Sequence, residues 1–243
     1  MNVFKEVALN FAIMLPPVRK MASRRHNTGL MSDPYLTRSM YNRLSEHVQL
    51  PGKDLLELGP GQTPTLLQYA LQDGARSVSG LDVEQSYSVI WPKEMDLQIY
   101  DGRRMPFKDG SFDIIWSNAC FEHLRYPELT VAECARLLRP GGSLVCQIDL
   151  RDHYQSDPAL QAEHLRYPAY LWKLMTWNRS AYTNRVRCSQ WESLLQENQM
   201  RSRIFEPQTS EALREAYATH PARGHYSESD FSTEVLFFVA DRL

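Results

Sequence analysis

From Asp54 onward the chain alternates short apolar runs with segments of helical period, and this alternation leaves few folds open to it. Neighbouring parallel strands cannot be joined by a tight turn, so each needs a crossover, usually a helix. "DLLEL" (54–58) reads as the first strand, "TPTLLQYALQDG" (63–74) as the first helix and "SVSGLD" (77–82) as the second strand. A short helix around Glu84–Ile90 leads to the third strand, "DLQIYDG" (96–102). The turn signal "KDGS" precedes the fourth strand, "FDIIWS" (112–117). Val131, Cys134, Ala135 and Leu138 make one apolar stripe, which predicts a helix between Pro127 and Leu138. "RPGG" (139–142) stops it, and "SLVCQIDL" (143–150) is the fifth strand.

Residues 151–188 interrupt the pattern. They are dense in aromatics, arginine and histidine, too rich for a plain crossover, and read as an inserted cap. "SQWESLLQENQM" (189–200) resumes as a helix. "RIFEP" (203–207) and "TEVLFFVA" (233–240) then form a closing antiparallel pair around a polar loop. The expectation is an N-terminal helical lid over 1–50 and one α/β domain over 51–243 with the cap inserted at about 151–188.

At 243 residues such a domain buries roughly 70–75% of its unfolded surface and needs no disulfide or metal staple. The net charge of −2 gives no basic excess for phosphates, which argues against nucleic acid as a partner. Cys120, Cys134, Cys146 and Cys188 are scattered, with no C-x-x-C pair and no histidine at ligand spacing, so no metal is expected. Thiols buried in apolar segments suit a reducing, cytoplasmic setting. The sequence sets no oligomeric state.

The N-terminal apolar run Val7–Leu15 is too short to span a bilayer, and no small-residue cleavage site follows. Phe4, Val7, Ala8, Phe11 and Leu15 fall on one helical face, with Arg19, Lys20, Arg24 and Arg25 behind them. A helix docked on the domain is the plain reading. Peripheral contact with a membrane surface or an anionic substrate is the alternative.

The chemistry concentrates at strand ends. "ELGPGQTP" (57–64) is a strand, a glycine turn and a helix start, where bare backbone and free N–H groups can approach a ligand. Asp82, at the end of the second strand, is placed to hold ribose hydroxyls. Alone, this pair fits a dinucleotide-binding dehydrogenase equally well, although a proline stands where the third glycine of that fingerprint belongs. Thr63 as N-cap and Pro64 at the first helical position would specify the helix start without that glycine.

The later motifs resolve the choice. Asp101 ends the third strand, and "MPFKDGSFD", "FEHL" and "LLRPGG" follow in order. Over residues 54–150 the chain strongly resembles the class I S-adenosylmethionine-dependent methyltransferases that act on small molecules. The resemblance implies a Rossmann-like α/β fold, with a mostly parallel seven-stranded sheet and an antiparallel last strand. It implies S-adenosylmethionine as cofactor and S-adenosylhomocysteine as product. Glu57, Gly59 and Gly61 would line its methionine and ribose, Asp82 the ribose hydroxyls, and Asp101 with Gly102 the adenine. Ser117 and Asn118 would lie beside the amino group and the sulfonium. A looser likeness over the cap is to a subgroup met in polysaccharide and glycosyltransferase contexts, which points to a saccharide acceptor. The D/N-P-P-Y/F motif of amino-group methylators is absent, since the chain reads "SNACFE" there.

The sulfonium is already a strong methyl donor, so alignment and exclusion of water are the main tasks. A hydroxyl acceptor also loses a proton, and His123 and His153 are placed to receive it. Asp149, Arg151, Tyr154, Arg166, Tyr167, Trp172, Asn184 and Arg185 are candidates for a pocket that packs and reads a sugar. O-methylation of a saccharide or glycosylated metabolite is the leading expectation. Its alternatives are N- or C-methylation of another metabolite, and a non-catalytic cofactor-binding partner.

Overall fold

The computed structural model describes residues 1–23, 33–83, 92 and 95–243. The helix expected around Glu84–Ile90 lies outside these residues, as do Arg24 and Arg25, and the side chains of Arg19 and Lys20 are likewise not described. Three helices come first: α1 (Val3–Ala12), α2 (Pro16–Ser23) and α3 (Pro34–Ser45). The core follows as β1 (Asp54–Leu58), α4 (Thr65–Gln72), β2 (Ser77–Asp82), β3 (Asp96–Ile99), β4 (Phe112–Asn118), α5 (Pro127–Leu137) and β5 (Leu138–Asp149). α6 (Ala169–Thr176), α7 (Cys188–Glu197), β6 (Met200–Thr209), α8 (Glu211–Tyr217), α9 (Glu228–Ser232) and β7 (Thr233–Arg242) complete it.

The strands form one seven-stranded sheet in the order β3-β2-β1-β4-β5-β7-β6. β1 to β5 pair parallel, and β7 runs antiparallel between β5 and β6. This is the Rossmann-like sheet expected from the sequence. Apolar side chains bury both faces, with Leu56, Ile115 and Leu144 on one side and Leu55, Ile114 and Val145 on the other. The strand order reverses between β1 and β4, and ligands bind beyond the carboxyl ends of strands at such a point.

Several expectations are corrected. The third strand stops at Ile99, short of the 102 expected. "RPGG" lies inside β5, which starts at Leu138 with a register shift against β4. The "polar loop" between the last strands holds α8 and α9, whose Leu213 and Phe231 build a third apolar cluster with Ala162 and Leu165. That stretch is short of apolar residues, and its few anchors are too widely spaced to register as a period.

The N-terminal helix also departs from its amphipathic pattern. α1 buries Glu6 and Asn10, while Phe4, Phe11 and Leu15 stand 89%, 53% and 58% exposed. Asn10 donates to the Leu174 carbonyl at 2.9 Å and accepts from the Asn178 N–H at 2.8 Å. Glu6 pairs with Arg179. α1 thus docks on α6 through polar groups, because the free backbone groups at the end of α6 are what it meets. Among the described residues no helix is long and apolar enough to cross a membrane.

Candidate functional site

The glycine turn is built as a close-approach element. Gly59 and Gly61 have φ of 70° and 67°, in the left-handed region that glycine enters without strain. A Cβ on Gly59 would lie 2.3 Å from Cys120 Sγ, so the turn after β1 and the turn after β4 touch. The Gly61 N–H donates to Asp82 Oδ2 at 3.4 Å, and Asp82 Oδ1 accepts from the Val83 N–H at 2.7 Å. Asp101 Oδ1 accepts from the Arg103 N–H at 2.9 Å, and Gly102 follows with φ of 81°. The ends of β1, β2 and β3 therefore present the expected residues along one edge.

Glu57 is the unusual group there. It is 2% exposed inside β1, in register with Gly80 on one side and Trp116 on the other, and its Oε2 has no hydrogen-bond partner among the described residues. Burial pushes its pKa up to about 8, and the nearby Asp82 charge adds to the rise. The Trp116 indole favours the charged form but does not offset burial, since its Nε1 does not reach hydrogen-bonding geometry.

Thr63 is not the N-cap of α4: Pro64 holds that position without a side-chain bond, and Thr63 Oγ1 is buried and unpartnered. Such atoms carry a desolvation penalty until a ligand satisfies them. An unpartnered carboxylate oxygen and an unpartnered hydroxyl beside an open backbone turn fit the ammonium and carboxylate of an amino acid. The residues present therefore fit the methionine portion of the expected cofactor.

Ser117 donates to the Leu58 carbonyl at 2.9 Å, which ties β4 to β1. Asn118 accepts from Gln147 Nε2 at 3.2 Å, and its Nδ2 approaches Met40 Sδ at 3.6 Å, so α3 lies over this strand end. The next residue, Ala119, takes φ of 49°, a strained turn of the kind that gathers at functional sites.

A one-turn 3₁₀ helix, Phe121–His123, follows. Residues 182–184 fasten it. His123 Nδ1 meets the Tyr182 carbonyl at 2.7 Å, the Asn184 N–H donates to the Glu122 carbonyl at 2.7 Å, and Asn184 Nδ2 donates to the Phe121 carbonyl at 2.7 Å. A carbonyl can only accept, so Nδ1 carries the proton and Nε2 keeps its lone pair. Burial pushes the His123 pKa down to about 4 and lowers that of His153 as well. Their rings lie 5.0 Å apart, edge to face. The two histidines named separately from sequence are thus neighbours.

The remaining candidates divide. Arg151 makes two bonds to Asp149, at 2.8 and 2.7 Å, beside His153. Tyr154 Oη is buried and unpartnered, and burial raises its pKa to about 12. Asp149 and Arg151 stay near the histidine pair, whereas the Tyr154 ring packs against Trp172 and Arg179. Trp172 is buried and donates to the Thr183 carbonyl at 2.8 Å, and Tyr167 stacks on it at 6.2 Å. Arg185 donates to the His164 and Tyr167 carbonyls at 3.1 and 2.6 Å. Asn184 is bound up in the 121–124 turn, and Arg166 pairs with Glu163 at 2.6 Å. Trp172, Asn184 and Arg185 hold the segment together through these bonds. Nothing in one sequence separates an arginine that binds backbone carbonyls from one that binds ligand.

Sequence reasoning passed over Glu122. It is 2% exposed, with neither carboxylate oxygen at hydrogen-bonding geometry. Burial raises its pKa well above the usual range, although the backbone N–H groups of Glu122 and Asp149 favour the charged form. The only signal was an acid next to a histidine at a strand end.

Comparisons with known proteins bear on the domain and the fold. Residues 56–146 match a family model described as "Methyltransferase domain". A phthiotriol/phenolphthiotriol dimycocerosates methyltransferase from Mycobacterium ulcerans is 32% identical over 123 residues, 46% of this chain and 43% of that protein. A ubiquinone biosynthesis O-methyltransferase from Nitrosococcus oceani is 33% identical over 109 residues, 42% of this chain and 45% of that protein. The chain spans less than half the length of these two curated relatives. Among solved structures, a putative methyltransferase from Bacillus halodurans superposes with a TM-score of 0.55 at 15% identity, covering 84% of this chain and 99% of that one. A geranyl diphosphate C-methyltransferase from Streptomyces coelicolor, solved with Mg²⁺, geranyl diphosphate and S-adenosylhomocysteine, gives 0.56 at 15% identity, covering 89% and 86%. The fold is that of the class I methyltransferases.

Proposed function

From a chain whose residues 56–146 are a methyltransferase domain on a class I fold, we propose that it transfers the methyl group of S-adenosylmethionine to an oxygen of a small acceptor. The observation that carries this is the buried Glu57 carboxyl at the glycine turn, whose Oε2 has no partner among the described residues, close to Asp82. Glu57 and Thr63 receive the amino-acid end of the cofactor, Asp82 the ribose hydroxyls, and Asp101 with Gly102 the adenine. Ser117 and Asn118 border the sulfonium, which supplies an already activated methyl. The chain's remaining task is to hold the acceptor in line with it and to keep water out.

In this reading α1–α3 form a lid over the cleft and residues 151–188 a cap. His123, His153, Asp149, Arg151 and Tyr154 face the acceptor. A saccharide or glycosylated metabolite is the first acceptor class to assay. A lipidic acceptor is the second, and contact of α1 with a membrane surface would accompany it. It is supported by the exposed Phe4, Phe11 and Leu15 and by the apolar substrates in the names of the relatives.

Titration calorimetry with S-adenosylhomocysteine on the wild-type chain and on Asp82→Ala tests the premise. Two hydrogen bonds to a charged acceptor, about 1.5 kcal/mol or more each, predict a loss of about 100-fold or more in affinity. No binding by the wild type, or equal binding by the variant, overturns the reading. Release of S-adenosylhomocysteine across panels of sugars, phenols and prenylated alcohols then separates an enzyme from a cofactor-binding partner.

A further inference from the structure

We propose that Glu122, His123 and His153 form a binding site for one divalent transition-series cation, Zn²⁺ or Mn²⁺. One ligand atom from each of the three lies within 4.8 Å of the other two. The residues come from two places, the 3₁₀ turn after β4 and the loop after β5, so only the parallel pairing of those strands unites them.

Three properties separate this cluster from a chance meeting of polar groups. Glu122 is buried and neither of its oxygens has a hydrogen-bond partner at full geometry among the described residues, which leaves a carboxylate whose desolvation penalty the nearby backbone N–H groups only partly offset. His123 has its Nδ1–H directed to the Tyr182 carbonyl at 2.7 Å, so Nε2 is its ligating atom and the ring is held in orientation. Metal-binding histidines are commonly fixed by a second-shell acceptor of this kind. Asn184 holds the same turn from the other side, giving the two consecutive ligands a rigid base.

His153 is the most exposed member. Its side chain is 22% exposed and its Nε2 lies 3.8 Å from Asp149 Oδ2, with Arg151 holding that carboxylate. Ligands about 2.0–2.1 Å from a tetrahedral ion are roughly 3.3 Å apart, so a small rotation of His153 closes the set. Two imidazoles and one carboxylate suit Zn²⁺ or Mn²⁺ better than Ca²⁺ or Mg²⁺, which prefer all-oxygen shells. Three protein ligands leave coordination positions open, as catalytic sites do. The site follows Asn118 along the chain, so an oxygen of the acceptor is the group those positions would receive. That last step rests on the methyl-transfer reading; cation binding does not.

The test uses the full chain after chelator treatment. Calorimetric titration with ZnCl₂ or MnCl₂ should show one saturable site per chain, with Kd below about 10 μM for Zn²⁺. Glu122→Gln and His153→Gln should each weaken it at least ~10-fold while retaining the wild-type circular dichroism. CoCl₂ should give visible absorption bands of a nitrogen- and oxygen-ligated site, lost in both variants. As a control that needs no variant, Zn²⁺ should slow diethyl pyrocarbonate modification of His153, mapped by mass spectrometry. Absence of saturable binding, binding unchanged in both folded variants, or an unaltered modification rate overturns the proposal. S-adenosylhomocysteine binding is measured on the same preparation. A chain that binds metal but not this ligand removes the methyltransferase reading and leaves the metal site standing.

Discussion

Glu57→Gln should make the ligand-free protein more stable and its cofactor site worse. The folded state raises the Glu57 pKa from 4.5 to about 8 by burying the carboxyl. For an acid with a raised folded pKa, the native state holds a proton that the unfolded chain releases, so stability falls as pH rises across that interval. At about 1.4 kcal/mol per pH unit the penalty is near zero at pH 4, about 3 kcal/mol by pH 7, and level above about pH 8. Glutamine keeps the size and neutrality of the protonated acid without this penalty. The expected gain at pH 7 is therefore about 3 kcal/mol, or roughly 6–12 °C in Tm for a chain of this length. Scanning calorimetry on both proteins at pH 5, 6, 7 and 8 should show the gap widening with pH. A gap independent of pH, or a variant less stable at pH 7, refutes the reasoning. Wild-type binding of S-adenosylhomocysteine at pH 7 should also release close to one proton, as Glu57 ionises against the ligand's ammonium. Calorimetry in buffers of different ionisation enthalpy reads that proton, and Glu57→Gln should abolish it.

Three further perturbations probe the architecture around the site. Gly59→Ala places a Cβ against Cys120 at φ of 70° and should lower stability by about 2 kcal/mol or more, read as a reduced urea midpoint. Arg187, 1% exposed, donates to the carbonyls of Leu150 and Asp230 at 2.7 and 2.8 Å and also to that of Thr233. Arg187→Met should lower stability by about 3–5 kcal/mol because it strands those acceptors, and Arg187→Lys should recover only part of the loss. Asn10→Ala removes two of the side-chain bonds that dock α1 on the segment around α6 and leaves the Glu6–Arg179 pair. Hydrogen exchange should speed up about tenfold across α1, with global Tm within about 2 °C of wild type.

The strand-end residues were legible because they sit at fixed offsets from their strands. Glu57, Gly59, Gly61, Asp82 and Asp101 stand at or just past strand ends that the alternation of apolar runs marks out; their cofactor roles, and that of Asn118, are what the family resemblance implies. The aromatic and arginine-rich segment is ambiguous in sequence because its composition is the same whether its polar groups face a ligand or the chain's own carbonyls. Trp172, Asn184 and Arg185 turned inward, where unpaired carbonyls at turns and helix ends needed donors.

The sequence by itself determined the parallel sheet, its antiparallel close and the edge where a cofactor can lie, since burial on both faces and crossover length are local properties of the pattern. Tertiary structure alone decided how α1 docks, because Glu6 and Asn10 outcompete Phe4 and Phe11 only when the partners on and after α6 are in place. It alone brought His153 beside Glu122 and His123. Those residues lie on separate strand ends, and no spacing along the chain records which strands become neighbours.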